Sequence, residues 1–364
     1  MQQFASFFAV VPDPRAANAR HEFMDILFIA IAAVLCGARN CSEMELFGIA
    51  KEALLRRILK LPYGIPSHDT FSAVFRALDP TSFAQAFGRF TATFAQALGA
   101  NEVVAIDGKA MRGAFEKGKR TAPRMLVTAW GARTRLTLAG MPVQEGNEAK
   151  AAIKLLSLID IRGATVTADA LHCSREMAGA VIARAGDFVF TLKGNQGPLH
   201  TEAQALLEVT APTAPSAETR DVAHGRAELR RAVVVVTPSL AETHSFPGLA
   251  AIGRIESVRE VDGEREETTT RLFALSRVLA PTELLAIVRE HWGIETSLHW
   301  VLDVVLDEDR QRTRKDHGPD NLALLRRFAL NVLRQDKSKG SLTGKMKRAG
   351  WDDAFLLNLL AQMR

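Results

Sequence analysis

Two aspartates end apolar runs of this chain, Asp107 in AIDGK and Asp169 in TADA. A carboxylate at the end of a buried strand is costly unless it caps a turn, is paired or binds a metal. One such residue is ordinary turn chemistry. Two, on strands that lie side by side, place paired carboxylates at one end of a sheet. That is the oxygen-rich setting a pair of hard divalent cations requires. A third carboxylate must complete it, and residues 288–312 (VREHWGIETSLHWVLDVVLDEDRQR) are dense with candidates. Glu295 has largely apolar neighbours, Trp292, Ile294, Leu298 and Trp300, with His291 and His299 four residues to either side on one helix face. Glu290, Asp303, Asp307, Glu308 and Asp309 are alternatives. A zinc site of His291, Glu295 and His299 is disfavoured, because the spacing is not HExxH.

These carboxylates need a scaffold, and periodicity supplies one. Residues 1–100 read as all-helical, with an apolar helix over 23–35 and a second over 43–61. In PYGIPSHDTFSAVFRALDP, Ser67 or Asp69 can cap a helix starting near Thr70, and Thr81 or Ser82 can cap the next. That last helix carries Phe83, Phe87, Phe90 and Phe94 at helical spacing, a core stripe rather than a stacking platform for bases. The short helices and tight turns also fit a helix-turn-helix-like DNA-binding module. From 102 the pattern becomes β-branched. Strands are predicted over 102–108, 124–132, 135–143, 164–170 and 187–193, with helices over 146–160 and 174–186. The β-β-β-α-β-α-β order is that of the ribonuclease-H-like fold.

The expected architecture is therefore α/β. Residues 1–100 form a helical N-terminal domain, and 101–194 the first part of a mixed-sheet catalytic core. A β-rich insertion spans 195–280, core helices return over 281–335, and a basic helical tail closes the chain over 336–364. TAPTAPSAET at 210–219 reads as a loop.

The 364 residues, 47% hydrophobic and 24% charged, exclude a disordered chain or a fibre. Three cysteines without a CxxC pair exclude a disulfide framework and argue against a zinc ribbon. No secretory leader is visible, and the most apolar run is too short to span a bilayer. A cytoplasmic, nucleoid-associated protein is the expectation, with no membrane partner. Neither GxxxxGK[ST] nor GxGxxG occurs, so no nucleotide cofactor is expected. The net charge of +5 is unevenly placed: residues 310–349 hold twelve Lys or Arg against three Asp. Such a stretch beside the proposed site favours a nucleic-acid backbone.

AIDGKAMRGA, VTADALHCSREMA followed by DFVFTLKGNQ, HGRAELR and HWGIETSLHWVLDVVLDED, in that order, resemble the DDE transposases of bacterial insertion sequences. The subgroup is the ISAs-one or H-repeat-associated type, within the IS-four-like superfamily. GIPSHDTFSAVFRALDP resembles the helical domain preceding the catalytic domain there. The resemblance implies Asp107, Asp169 and Glu295 as catalytic and metal-binding residues, with Mg²⁺ (Mn²⁺ as substitute). It implies cleavage of the element's terminal inverted repeats and strand transfer into double-stranded target DNA, by a homodimer on DNA. A catalytically silent DNA-binding descendant, and a nuclease without strand transfer, are the competing readings.

The superfamily's Tyr, Arg and Lys around the glutamate are absent here, where Val288, His291 and Leu302 stand instead. His291 and His299, if protonated, could bind phosphate in their place. Further DNA contacts are expected from Lys109, Arg112, Lys193, Asn195, Gln196 and Arg226, and from Arg312, Arg314, Lys315, Lys345, Lys347 and Arg348.

Overall fold

The computed structural model describes residues 2–95, 102–114, 123–144, 146–223, 226–261 and 264–363. Its centre is one mixed sheet with strands β1 (Val103–Ala110), β2 (Met125–Gly131), β3 (Leu136–Pro142), β4 (Thr165–Ala168) and β5 (Asp187–Leu192). The further strands are β6 (Ser216–Ala223), β7 (Arg226–Val236), β8 (Ala251–Val261), β9 (Glu264–Arg265) and β10 (Thr269–Leu275). The order across the sheet is β3-β2-β1-β4-β5-β10-β8-β7-β6, with β9 paired to β8. β1 runs antiparallel to β2 and parallel to β4, and β4 runs parallel to β5. That is the ribonuclease-H-like core, as the strand and helix order predicted.

The insertion differs from a self-contained β unit. β10 pairs antiparallel with β5, and β8, β7 and β6 follow outward, so the inserted strands lengthen the core sheet. The insertion also carries a fourteen-residue helix, Gly197–Thr210, which the β-alternation of the surrounding sequence does not announce. Residues 216–219, expected in a loop, lie in β6.

The first and last parts of the chain share one core. Helix Phe23–Leu35 is apolar nearly all round and is buried except at Met24, as its composition requires. Against it lies helix Gly318–Gln335. Phe328 from the latter stacks on Phe90 at 3.9 Å and meets Phe8 and Phe87. Phe83, Phe87 and Phe90 are buried, so the stripe is core; the Phe94 side chain lies outside the described residues. Helices Leu342–Trp351 and Asp353–Ala361 close over the same core. The C-terminal segment expected as a separate tail is therefore part of the helical layer.

Local signals largely hold. Ser67 accepts from Thr70 N and starts His68–Ala77, while Asp79, rather than Thr81 or Ser82, caps Pro80–Ala95. The expected helix over 43–61 is broken into Cys41–Ala50 and Glu52–Leu55. Asn321 donates to the Phe75 and Leu78 carbonyls, satisfying the end of a neighbouring helix. Asn331 accepts from Thr137 N at 2.9 Å and donates to Thr137 O at 2.7 Å. That satisfies β3's free edge beside a register shift.

Candidate active site

Strand parity places the two aspartates. On β1, Val104 and Ile106 face the helices Glu148–Leu156 and Arg175–Ile182, so Asp107 faces the opposite side. On β4, Val166 and Ala168 face those same helices, which sends Asp169 to Asp107's side. The parallel register pairs Ile106 with Ala168, so the two aspartates stand at one level, one residue beyond each strand's last shared rung. Asp169 also accepts from Leu171 N, holding the turn that follows.

Glu295 comes from a helix laid across that face. Pro281–Ile294 leads into a π-helical turn at Glu295–His299, and Trp300–Val304 continues the helix. The sequence predicts an unbroken α-helix; the π-turn has no period of its own in the pattern. Such turns insert one extra residue per turn and recur at functional sites. The helix is seated by Gly293, where an added Cβ would stand 3.1 Å from the Trp130 ring. It is pinned by His291 Nδ1 to Thr167 Oγ1 at 2.9 Å, by Arg133 to Glu290 at 3.1 Å, and by Arg289 to Asp221 of β6.

His299 lies between two of the acids. Its Nδ1 is 3.1 Å from Glu295 Oε2 and 3.5 Å from Asp107 Oδ2. One ligand atom from each of Asp107, Glu295 and His299 falls within 4.8 Å of the others, close enough to surround one cation. Burial and then the nearby Glu295 push the Asp107 carboxyl up to about 7, with Asp169 and Glu148 adding to the repulsion. A carboxyl raised by its acidic neighbours in this way invites a cation. Such a donor set suits a hard metal with one nitrogen nearby.

Several expected DNA contacts need correction. Burial pushes His291 down to about 4 and lowers His299 as well, which disfavours the protonated phosphate contacts expected of them. Lys109 is buried, its ammonium 2.8 Å from Asp303 and 3.2 Å from Asp309, and it serves the fold beneath the site. Lys345 is buried too, bonded to the Asp336 carbonyl at 2.6 Å. Arg326 and Arg327, two of the twelve counted cations, are buried within the core. A charge count cannot distinguish these from exposed cations. Arg112, Lys193, Arg312, Arg314, Lys315, Lys347 and Arg348 are exposed; of these, Arg348 lies over the Phe355 ring and near Asp352. The Arg226 side chain and residues 224–225 lie outside the described residues.

Asn195 and Gln196 hold the loop after Asp169. They donate to the Ala170 and Cys173 carbonyls, each at 2.6 Å. Asn195→Ala should therefore cost about 1 kcal/mol in a urea melt and lower activity without changing DNA affinity. A loss of affinity with unchanged stability would instead make Asn195 a DNA contact.

Sequence reading missed Glu148, in the first turn of Glu148–Leu156, where an acid favours the helix dipole and attracts no notice. The only signal was Gly108, directly after Asp107. A Cβ there would overlap Glu148 Oε1 and stand 2.6 Å from its Cδ.

Among the described residues no helix is long and apolar enough to cross a membrane. Residues 99–332 match the family described as Transposase DDE domain, and residues 5–91 match DDE_Tnp_1-associated. The chain is 30% identical over 372 residues to the H repeat-associated protein YhhI of Escherichia coli strain K12, a transposase by name; the alignment covers 99% of this chain and 98% of YhhI. It is 38% identical over 264 residues to an uncharacterized protein of the dhlA 3′ region of Xanthobacter autotrophicus, covering 71% and 89%. A solved piggyBac transposase synaptic complex with hairpin DNA aligns with 98% of this chain and 80% of its own, at a TM-score of 0.44 and 12% identity.

Proposed function

The chain belongs to the DDE transposase family, and from that premise we propose that it cuts the ends of an insertion sequence and joins them to target DNA. Asp107, Asp169 and Glu295 are the catalytic carboxylates in this reading. The observation that carries it is the shared level of Asp107 and Asp169 on one sheet face, under the helix that brings Glu295.

The same three residues would hold Mg²⁺, or Mn²⁺ in its place. Bound there, divalent cations supply charge stabilisation at phosphorus and a more acidic attacking hydroxyl. The protein's own residues set the geometry. The Thr167 and Gly293 contacts fix the helix, so Glu295 meets Asp107 at a set height. His299 Nδ1 stands 3.1 Å from Glu295 Oε2, and in the tautomer with its proton on Nδ1 it would donate to Glu295 and restrict that carboxylate's rotation. The partner in this reading is double-stranded DNA, as terminal inverted repeats and as target, with the protein a homodimer when two ends are paired. Its place is the cytoplasm, on the nucleoid.

The test is cleavage of a plasmid carrying the element's terminal repeats, with Mg²⁺. Wild type should cut and join, while Asp107→Asn, Asp169→Asn and Glu295→Gln should not. Undiminished cutting by all three variants would falsify the assignment. Cutting without joined products would reduce the protein to a nuclease, and binding without cutting to a silent descendant.

The exposed cations Arg312, Arg314 and Lys315 follow a loop that packs on the exit of β1, where a Cβ on Gly113 would strike the Asp309 and Gln311 carbonyls at 2.5 Å. Replacing all three with Ala should weaken binding across DNA sequences. It should also flatten the slope of log K against log salt by roughly 2–3. An unchanged slope would return this loop to ordinary solvated surface.

A further inference from the structure

Glu148 lies on the far side of the sheet from Glu295, yet its carboxylate reaches the strand end that carries Asp107. Parity explains the route. Asp107 faces the Glu295 helix, so Gly108 faces Glu148–Leu156. The missing side chain leaves a notch, and Glu148 Oε1 fills it, overlapping the place a Cβ would take.

His172, in the loop just after Asp169, abuts the carboxylate from the other side. His172 Nε2 stands 3.2 Å from Glu148 Oε1. The imidazole is 1% exposed, and neither ring nitrogen has a hydrogen bond of good geometry. Burying a polar ring without hydrogen bonds costs free energy, and the Glu148 carboxylate is the acid that stands beside it. Three residues outside the Asp107, Asp169 and Glu295 set thus converge: Gly108 makes the space, Glu148 fills it, and His172 abuts it from the Asp169 loop.

We infer that Glu148 is a positioning residue for the metal centre, one that strengthens cation binding by bridging the strand end that carries Asp107 and the loop that follows Asp169. This rests on the proposed metal-dependent reading. A carboxylate packed between two ligand-bearing segments adds negative charge near the cation and orders those segments. A purely structural Glu148 would do neither. It would only anchor its helix, and its removal would lower stability with or without metal.

The experiment is Mn²⁺ binding by the full-length protein, followed by electron paramagnetic resonance of the free ion, with thermal melts in parallel. Glu148→Gln keeps the shape and removes the charge. It should weaken Mn²⁺ binding about tenfold, while the metal-free protein melts no lower than wild type. Gly108→Ala keeps every carboxylate but fills the notch, and should weaken Mn²⁺ binding likewise. Glu148→Asp should recover part of the loss.

Asp107→Asn is the control for the metal reading itself. If it loses Mn²⁺ while Glu148→Gln and Gly108→Ala bind as tightly as wild type, Glu148 has no part in the centre and the inference alone falls. It falls equally if Glu148→Gln keeps wild-type affinity but melts lower. Should wild type bind no Mn²⁺, or Asp107→Asn bind it undiminished, the metal reading fails and takes this inference with it.

Discussion

Asp107→Asn should abolish strand cleavage and, in the same protein, raise the stability of the metal-free fold. The loss of activity should reach about a thousandfold or more, since a metal-ligating carboxylate supports several kcal/mol of transition-state stabilisation. The gain in stability follows from the carboxyl's environment. In the folded chain it is pushed from an ordinary 3.8 up to about 7, first by burial and then by Glu295. A raised acid binds its proton more tightly folded than unfolded. Its contribution to stability is full below about pH 4 and is lost as pH rises through 7. Metal-free wild type should therefore weaken between pH 5 and pH 8, by about 1–2 kcal/mol once partial exposure is allowed for. The Asn variant should show a flatter profile and a higher melting temperature at pH 8. Added Mn²⁺ should stabilise wild type and leave the variant little changed. A variant that melts lower than wild type at pH 8 would show that Asp107 is not under repulsion.

The second large effect concerns charges that never reach solvent. Arg327 and Glu308 are 0% and 1% exposed and pair at 2.8 Å. Arg327 also donates to the Ala323 carbonyl at 3.0 Å and to Thr128 of β2, opposite Asp107, at 3.3 Å. Arg326 stands 4.0 Å from the same Glu308 oxygen. Breaking this cluster by Arg327→Met leaves a buried carboxylate unpaired and should cost about 3–5 kcal/mol. Glu308→Gln should cost a similar amount, because two guanidinium groups then face each other. The double variant Arg327→Met with Glu308→Gln should recover a substantial part, since removing both charges also removes both desolvation penalties. The neighbouring cations hold the Glu308 carboxyl below its ordinary range despite burial. Its share of stability is therefore present above the unfolded value near 4.5 and is lost as pH falls through the lower folded value. Chemical denaturation of the three variants, repeated at acid pH, measures all of this. Strict additivity in the double variant would mean that the pair is not coupled.

Much of the scaffold was legible because burial leaves a period in sequence. The runs ending at Asp107 and Asp169 alternate only weakly, as strands covered on both faces do, and their neighbouring helices carry amphipathic spacing. Pattern put Glu295 ahead of five nearby acids through its apolar neighbours, and the resemblance to a family strengthened that choice. Other features left no period. Asn331 reads as one polar residue in a helix, although its amide completes β3. Arg326, Arg327 and Lys345 read as tail charge, because composition does not report which cations fold inward. The insertion's alternation announced antiparallel strands but not that β10 would join β5. Pairing partners are chosen by the edge that is free, which is a property of the assembled sheet.

The shared core of the chain's two ends has a consequence in time. A ribosome adds about 5–20 residues each second, so the roughly 130 residues between Asp169 and Glu295 take on the order of 6–25 s to emerge. Through that interval the nascent chain holds two carboxylates without the third. The N-terminal helices meanwhile lack Phe328 and the helices that close over them. A chain stalled or cut before the last fifty or so residues should thus have an open helical layer as well as an unsupported Glu295. Native ordering of the N-terminal helices and completion of the catalytic face then arrive together, late in synthesis, as one event.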